Sequence, residues 1–327
     1  MGVNKKILIT GESGFIGSHL TNLFTNKYSN YEIHGLDNLT YASNKDYTKH
    51  LEKKNNYQFH KIDISHREAI LKLFKEFRFT DVIHLAAESH VDNSIKNPLL
   101  FIQTNILGTL NLLDAFKEYS SGRFHHISTD EVYGDLNIND SLFDESSPYN
   151  PSSPYSASKA GSDHLVRAYH RTYGIDTIIT SCSNNYGPHQ HIEKFIPTIM
   201  CSIFRNQKIP IYGNGENIRD WLYVEDHINA LDIVFHKGES GETYNIGANN
   251  EMSNINLVHL ICDIFLDKKL HQNPENLISF VGDRLGHDKR YAINSNKLKN
   301  TLKWKTEFNF KKGLSTTIDW YLDKIKI

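Results

Sequence analysis

Gly11, Gly14 and Gly17 stand three residues apart, between a strand-like apolar run from Lys5 to Thr10 and a helical pattern that opens at Phe15. Glycine at these points lets the backbone turn tightly, approach an anionic group closely and aim helix N-terminal amides at it. Strand, glycine loop and helix in that order constrain the fold more than any other feature. They make Lys5 to Thr10 the opening strand of a βαβ unit and the loop a cradle for a pyrophosphate, the plainer alternative being an ordinary βα turn. The spacing is GxxGxxG rather than GxGxxG, but the physical requirement is the same.

The alternation continues. Strand-like runs at Tyr31 to Leu36, Tyr57 to Ile62, Val82 to Leu85, Arg123 to Ser128 and Thr177 to Ser181 interleave with helical periodicity. The helical patterns lie at Phe15 to Phe24, at Arg67 to Phe77, after Pro98 and from Ser156 to Tyr173. Repeated β-α-β order with right-handed crossovers predicts an α/β fold, a Rossmann-like doubly wound parallel sheet. After about residue 183 the pattern loosens, and Asn184-Asn185-Tyr186-Gly187-Pro188 and Gly213-Asn214-Gly215 are turn-rich. Residues 1–183 are therefore expected to form the dinucleotide-binding domain. Residues 184–327 are expected to form mainly a smaller C-terminal substrate-binding lobe, with some segments returning to the first domain.

A chain of 327 residues suits that division, and 39% hydrophobic residues supply a core. The net charge of −2 gives no bulk attraction to nucleic acid or to an anionic membrane. No apolar run approaches the ~18 residues of a spanning helix, and the N-terminus lacks the apolar region of a signal peptide. Cys182, Cys201 and Cys262 are too few and too scattered for a disulfide framework or a zinc site, so a reducing cytoplasm is the expected compartment. His189, Gln190 and His191 have no third ligand at a useful spacing, so no metal is expected. His125 and His126 precede Ile127 in a strand and read as packing or edge residues.

Asp37 ends the second strand, twenty residues after Gly17, where a carboxylate binds the adenosine ribose hydroxyls and repels a ribose phosphate. NAD is accordingly expected rather than NADP. Asp63, after the third strand, either accepts from the adenine amino group or caps the turn before Ser65 and His66. Tyr155 and Lys159 are at i and i+4 on a helix and share a face. An ammonium beside a phenol lowers its pKa toward neutrality, giving a base for a hydroxyl proton while hydride leaves the same carbon. Thr129, at the end of an intervening strand, offers a hydroxyl to the same substrate oxygen.

With these residues in place, the chain resembles the extended short-chain dehydrogenase/reductases, and among them the dTDP-glucose 4,6-dehydratase family. The resemblance is carried by Asp37-Asn38-Leu39-Thr40-Tyr41-Ala42, His84 to Asp92, Ser128-Thr129-Asp130-Glu131-Val132-Tyr133-Gly134 and Ser153 to Ala160. It continues in Ser183 to Pro188, Arg219 to His227 and Asp283 to Asp288, and so covers nearly the whole chain. It departs from the family at Glu12-Ser13, where a small pair is usual, and at Leu285, where proline is usual.

The resemblance implies a lyase that removes water from a nucleotide-linked glucose. NAD would take hydride from C4 and return it to C6, giving a 4-keto-6-deoxy sugar. It makes Asp130 the acid for the C6 hydroxyl and Glu131 the base for the C5 proton, two carboxylates whose environments must split their pKa values. The alternative for this pair is an acidic strand end in solvent. On the cofactor side the resemblance implies Gly11, Ser13, Gly14, Phe15, Ile16 and Gly17, then Asp37, Asn38, Leu39, Thr40, Asp63 and Ile64. It adds Leu85, Ala86, Ala87, Ser89, Thr104, Tyr155, Lys159 and Asn185. For the substrate it implies Glu88, Ser89, Thr129, Asn184, Lys194, Phe195, Arg219, Asn254, Arg284 and His287, with Pro210, Ile211 and Tyr212 as the wall against the base. Tyr212 is otherwise a strand-packing residue. A homodimer is implied, paired through the helix after Pro98 (Ile102, Ile106, Leu110) and the Tyr155 helix (Ala168, Tyr169).

Three other readings differ by chemistry. A UDP-glucose 4,6-dehydratase would differ in the base it accepts, and a hydrophobic pocket distinguishes one methyl by only ~1–3 kcal/mol. A nucleotide-sugar 4-epimerase has no use for Asp130 and Glu131, and a non-catalytic NAD-binding protein has no use for Tyr155, Lys159 and both carboxylates together.

Overall fold

The computed structural model describes residues 5–325. The elements are β1 (Lys5–Thr10), α1 (Phe15–Lys27), β2 (Tyr31–Asp37), β3 (Tyr57–Lys61), α2 (Arg67–Phe77), β4 (Asp81–His84), α3 (Val91–Lys96), α4 (Pro98–Phe101), α5 (Gly108–Tyr119), β5 (Arg123–Thr129), α6 (Pro154–Tyr173) and β6 (Asp176–Cys182). There follow β7 (Asn184–Tyr186), α7 (Phe195–Phe204), β8 (Ile209–Tyr212), β9 (Ile218–Tyr223), α8 (Val224–Lys237), β10 (Thr243–Ile246), β11 (Glu251–Ser253), α9 (Asn254–Asp267), β12 (Ile278–Val281), β13 (Arg290–Tyr291), α10 (Asn296–Leu302) and α11 (Phe310–Ile325).

Seven strands form one sheet in the order β10-β6-β5-β4-β1-β2-β3. Every pairing in it is parallel. The chain winds outward from β1 in both directions, so the order reverses between β1 and β4, the place where such sheets open a crevice. Period-two alternation feeds both faces. Ile7 and Ile9 of β1 pack with Leu20 and Phe24 of α1 and with α8, while Leu8 packs with Phe74 of α2, Leu112 and Phe116 of α5 and Val166 of α6. A second core joins α7, α9 and α11 through Ile199, Met200, Leu257, Ile261, Leu314 and Ile318. It lies beside β9 with its neighbours β7, β11 and β13, and beside the β8–β12 pair. β10 comes from the far half of the chain yet pairs with β6.

Pro98 to Tyr119 is one continuous helix, with a π-helical turn at Ile102–Leu107 between α4 and α5. By length and composition it is apolar enough to cross a membrane, with a mean hydropathy of 1.3 over 18 residues, and half of that window is buried in the protein. The sequence reading missed it because uncharged polar residues, among them Thr104, Asn105 and Asn111, interrupt the apolar run. Its outer side leaves Leu99, Ile102 and Leu107 exposed. Tyr169 does not form a matching outer face. It is buried against the chain's own core, and its hydroxyl donates to Asp114 of α5 at 2.5 Å.

Candidate active site

At the carboxyl ends of the strands, where the order reverses, a cleft of about 360 Å³ opens. Its floor begins with the glycine loop. Gly11 adopts φ +72°, open to glycine at little cost, and a Cβ on Gly17 would lie 2.0 Å from the Gly11 carbonyl oxygen. α1 starts at Gly14 with no side-chain cap, so its first amides face the cleft without a competing acceptor from the capping residue. Asp37 ends β2 and is fixed by three donors. The Ser13 amide reaches one oxygen at 3.1 Å, and the Leu39 amide (2.7 Å) and Ser43 hydroxyl (2.8 Å) reach the other. Ser13 and Leu39 thus act on the cleft through Asp37; neither lines it. Asp63 lines it as a turn cap, accepting from Ser65 through one oxygen and from Asn38 at 2.8 Å through the other.

Glu12 is turned under the loop and has no exposed surface. Its carboxylate accepts from Ser13, from Lys45 at 3.1 Å, from Thr48 at 3.2 Å and from Tyr57 at 3.0 Å. Gly35 makes room for it, since a Cβ there would fall 2.6 Å from Glu12 Cγ. Leu285, the other departure, is 78% exposed, and nothing in the structure explains it.

The π-helical turn supplies the next wall. Asn105 bonds both the amide and the carbonyl of Glu88, at 2.9 and 3.0 Å, and reaches Ser158 on α6 at 2.8 Å. That holds Glu88 and Ser89 at the cleft beside Thr104. Opposite them, α6 opens with a capping box between Ser153 and Ser156 and with Pro154 in its first turn, which places Tyr155 at the helix mouth and Lys159 one turn on.

Thr129 ends β5, Asp130 and Glu131 follow it directly, and all three line the cleft with Tyr155 and Lys159. Asp130 is 2% exposed. Burial first, then the charge of Glu131, pushes its carboxyl well above the usual range. Burial also raises Glu131, but Arg284, Arg219 and Lys194 pull the other way. Both carboxyls are thus raised by burial, Asp130 further with Glu131 beside it, whereas at Glu131 the charges of Arg284, Arg219 and Lys194 oppose the raise.

Tyr155 departs from expectation. Its phenol is raised well above its ordinary value by burial and by Glu131, and Lys159 is not among the principal influences on it. The reason is geometric. Lys159 Nζ donates to the Ile127 carbonyl at 2.7 Å and lies 3.4 Å from His126 Nε2. Burial lowers the lysine to about 8.

Of the expected cofactor residues, all but Ser13 and Leu39 line the cleft; of the expected substrate residues, Glu88, Ser89, Thr129, Asn184 and Lys194 do. Phe195, Pro210, Ile211, Tyr212, Arg219, Asn254, Arg284 and His287 lie outside its lining. Ile211 is a correction to the expected wall. β8 alternates buried and exposed residues, so Ile211 points into the second core while Pro210 and Tyr212 face out. Arg219 is buried over the Tyr291 ring, 3.8 Å from its centroid, and donates to the Asp288 carbonyl. Tyr212 packs edge-on to His287 and donates to Asp92 at 3.3 Å, and Arg284 lies 3.9 Å from the other Asp92 oxygen.

Cys182, Ser128 and Ser183 also line the cleft and escaped the sequence reading. Their signal was position: Cys182 is in register with Thr129 across β5 and β6, at the same sheet edge. Among the described residues no three histidines, cysteines or acids converge as a metal site.

A glycine cradle at an uncapped helix start, an anchored carboxylate at the next strand end and an open crevice between them fit a dinucleotide. The chain matches the GDP-mannose 4,6 dehydratase family over residues 8–317. It is 47% identical to the dTDP-glucose 4,6-dehydratase of Haemophilus influenzae, covering 97% of each chain. The crystal structure of dTDP-glucose 4,6-dehydratase from Bacillus anthracis in complex with NAD superposes with a TM-score of 0.88 at 40% identity over 98% of each chain. The UDP-glucose 4-epimerase of Thermotoga maritima shares the fold with a TM-score of 0.89 at 26% identity, over 98% of this chain and 99% of its own. The chain belongs to the GDP-mannose 4,6 dehydratase family and, within it, to the dTDP-glucose 4,6-dehydratases.

Proposed function

We propose that this protein converts dTDP-glucose to dTDP-4-keto-6-deoxy-glucose and water by moving hydride internally from C4 to C6. The observation that carries the reading is the unlike carboxyl pair, Asp130 and Glu131, in the cleft with Tyr155. An epimerase of the same fold needs a base and a hydroxyl at one carbon and gains nothing from such a pair.

Gly11, Gly14 and Gly17 would hold the pyrophosphate of NAD, Asp37 the adenosine ribose and Lys159 the nicotinamide ribose. When bound, NAD supplies the hydride acceptor for C4, the hydride donor for C6 and a positive charge in the cleft. Tyr155 takes the proton of the 4-hydroxyl, with the Thr129 hydroxyl on the same oxygen. The 4-ketone acidifies C5, and Glu131, its carboxylate favoured by Arg284, Arg219 and Lys194, removes the C5 proton. Asp130, whose protonated form burial favours, hands its proton to the C6 hydroxyl as water leaves. Glu131 then returns a proton to C5. Arg219, Arg284 and Lys194 serve the diphosphate, and Tyr212 with Pro210 faces the base.

The substrate lobe is taken as residues 184–327 apart from β10, which pairs into the large sheet, and α8 and α10, which pack on its core. Free, buried cysteines at 182, 201 and 262 suit a reducing cytoplasm. The test is incubation with dTDP-glucose and, in parallel, UDP-glucose, followed by the alkali-induced absorbance of a 4-keto sugar. The chromophore is expected with dTDP-glucose. A 4-epimer without the chromophore overturns the reading.

We also assign a homodimer. The apolar outer side of the Pro98–Tyr119 helix, with Leu99, Ile102 and Leu107 exposed, suits an isologous helical contact. Light scattering at micromolar protein is expected to give twice the chain mass, and Leu99→Glu with Ile102→Glu to give the monomer.

A further inference from the structure

Behind Lys159, away from the cleft, lies a buried polar chain that the chemistry above leaves unused. His126 Nε2 is 3.4 Å from Lys159 Nζ and 3.2 Å from Asp163 Oδ1, and neither the His126 nor the Asp163 side chain has exposed surface. The other Asp163 oxygen accepts from the Ser128 hydroxyl at 2.8 Å and from the Tyr149 hydroxyl at 2.9 Å. Tyr149 in turn accepts from Arg167 at 2.7 Å.

A carboxylate enclosed this completely is costly unless a cation answers it, and the enclosed cation within reach is Lys159. One imidazole nitrogen faces both groups. Carrying a proton it donates to Asp163; without one it accepts from the lysine. Burial, then Lys159, lowers His126 to about 4, so the ring is neutral and carries one proton, which on Nε2 is donated to Asp163 and on Nδ1 leaves Nε2 to accept from Lys159.

We propose that Asp163, acting through His126, is the counter-ion that keeps Lys159 charged and aimed, making both of them positioning residues for the oxidation at C4. The proposal rests on the reading of Tyr155 and Lys159 as the oxidising pair. Other titratable groups surround this chain: His84 on β4 and Cys182 on β6 beside the lysine, Arg167 and Tyr149 on the Asp163 side, and Tyr155, Asp130 and Glu131 along the cleft. His84 is held neutral by burial, and the Cys182 thiol is pushed up to about 12. Burial raises Asp163, but the hydrogen bonds from His126 and Ser128 and the charge of Lys159 outweigh it and hold the carboxyl below its ordinary value, and its own charge raises Lys159.

The experiment compares the full-length protein with Asp163→Asn, His126→Leu and His126→Gln, after circular dichroism has established folding. Two readouts are taken against pH: acetylation of Lys159 by acetic anhydride, followed by peptide mass, and the single-turnover rate of C4 oxidation with dTDP-glucose. In Asp163→Asn the midpoint of acetylation and the high-pH limb of oxidation should both move down by about 1–3 pH units. His126→Leu should move them in the same direction, and His126→Gln, whose amide can bridge the same two groups, should restore them. Unmoved midpoints in Asp163→Asn, or equal behaviour of His126→Leu and His126→Gln, overturn the proposal. If Asp163→Asn does not fold, the two His126 variants decide it. Absence of 4-keto sugar from the unsubstituted protein would instead defeat the functional reading, while the acetylation midpoints still judge the counter-ion.

Discussion

A protein carrying Asp130→Asn and Glu131→Gln is expected to take up dTDP-glucose, develop the near-ultraviolet absorbance of reduced nicotinamide, and stop. Both amides keep the size of the acids, so the cleft is preserved, but neither can give or take the required proton. General acid–base groups contribute about 10²–10⁴-fold each, so turnover to the 4-keto-6-deoxy product should fall by at least that order. The groups assigned to oxidation, Tyr155, Lys159 and Thr129, are untouched. Undiminished product formation would make the carboxylates bystanders and reopen the epimerase reading. The single Glu131→Gln change carries a second, signed expectation. The charge of Glu131 raises the Tyr155 phenol, so removing it lowers that pKa, and the rising limb of the oxidation rate should move to lower pH. Stopped-flow absorbance across pH measures both effects.

Tyr155→Phe should fail one step earlier. The ring stays, packed edge-on to Phe101 with centroids 6.3 Å apart, so folding and substrate binding should be kept. The oxygen that receives the 4-hydroxyl proton is gone, and with it about 10²–10⁴-fold of the oxidation rate. No reduced nicotinamide should build up in this variant, even when Asp130→Asn and Glu131→Gln are added. Accumulation of reduced cofactor at the unsubstituted rate would assign the base elsewhere, with Thr129 the nearest alternative.

Six of the seven strands could be read from the chain because each is short and apolar and several are followed by a helix, as at Lys5 to Thr10 and Phe15 to Phe24; β10, which comes from the far half of the chain, was not. Strand ends then locate chemistry, which is why Thr129 could be picked out before the cleft was seen, while Asp130 and Glu131 came from the family resemblance. Three other things were not legible. The direction of a long side chain is a matter of tertiary contact. Lys159 shares a helix face with Tyr155, yet its amine turns to the Ile127 carbonyl. The facing of a short strand depends on register, which put Ile211 inward and Tyr212 outward. The π-helical turn arises where Asn105 is drawn to the backbone of Glu88, a partner 17 residues away that no local pattern reveals.

The carboxylate under the phosphate loop bears on the order in which this sequence could have changed. Glu12 is enclosed and answered by Lys45, Thr48 and Tyr57, and it occupies space that only Gly35 leaves free. A buried charge that loses its partner costs about 3–5 kcal/mol, a large share of the stability of most domains. An ancestor with a small residue at position 12 could have acquired Lys45 first, since part of that side chain still reaches solvent. The reverse order, Glu12 before Lys45, would have stranded a carboxylate beneath the cofactor. Lineages that carry an acid at position 12 should therefore descend from ones that already held the lysine, and the two positions should now drift only as a pair.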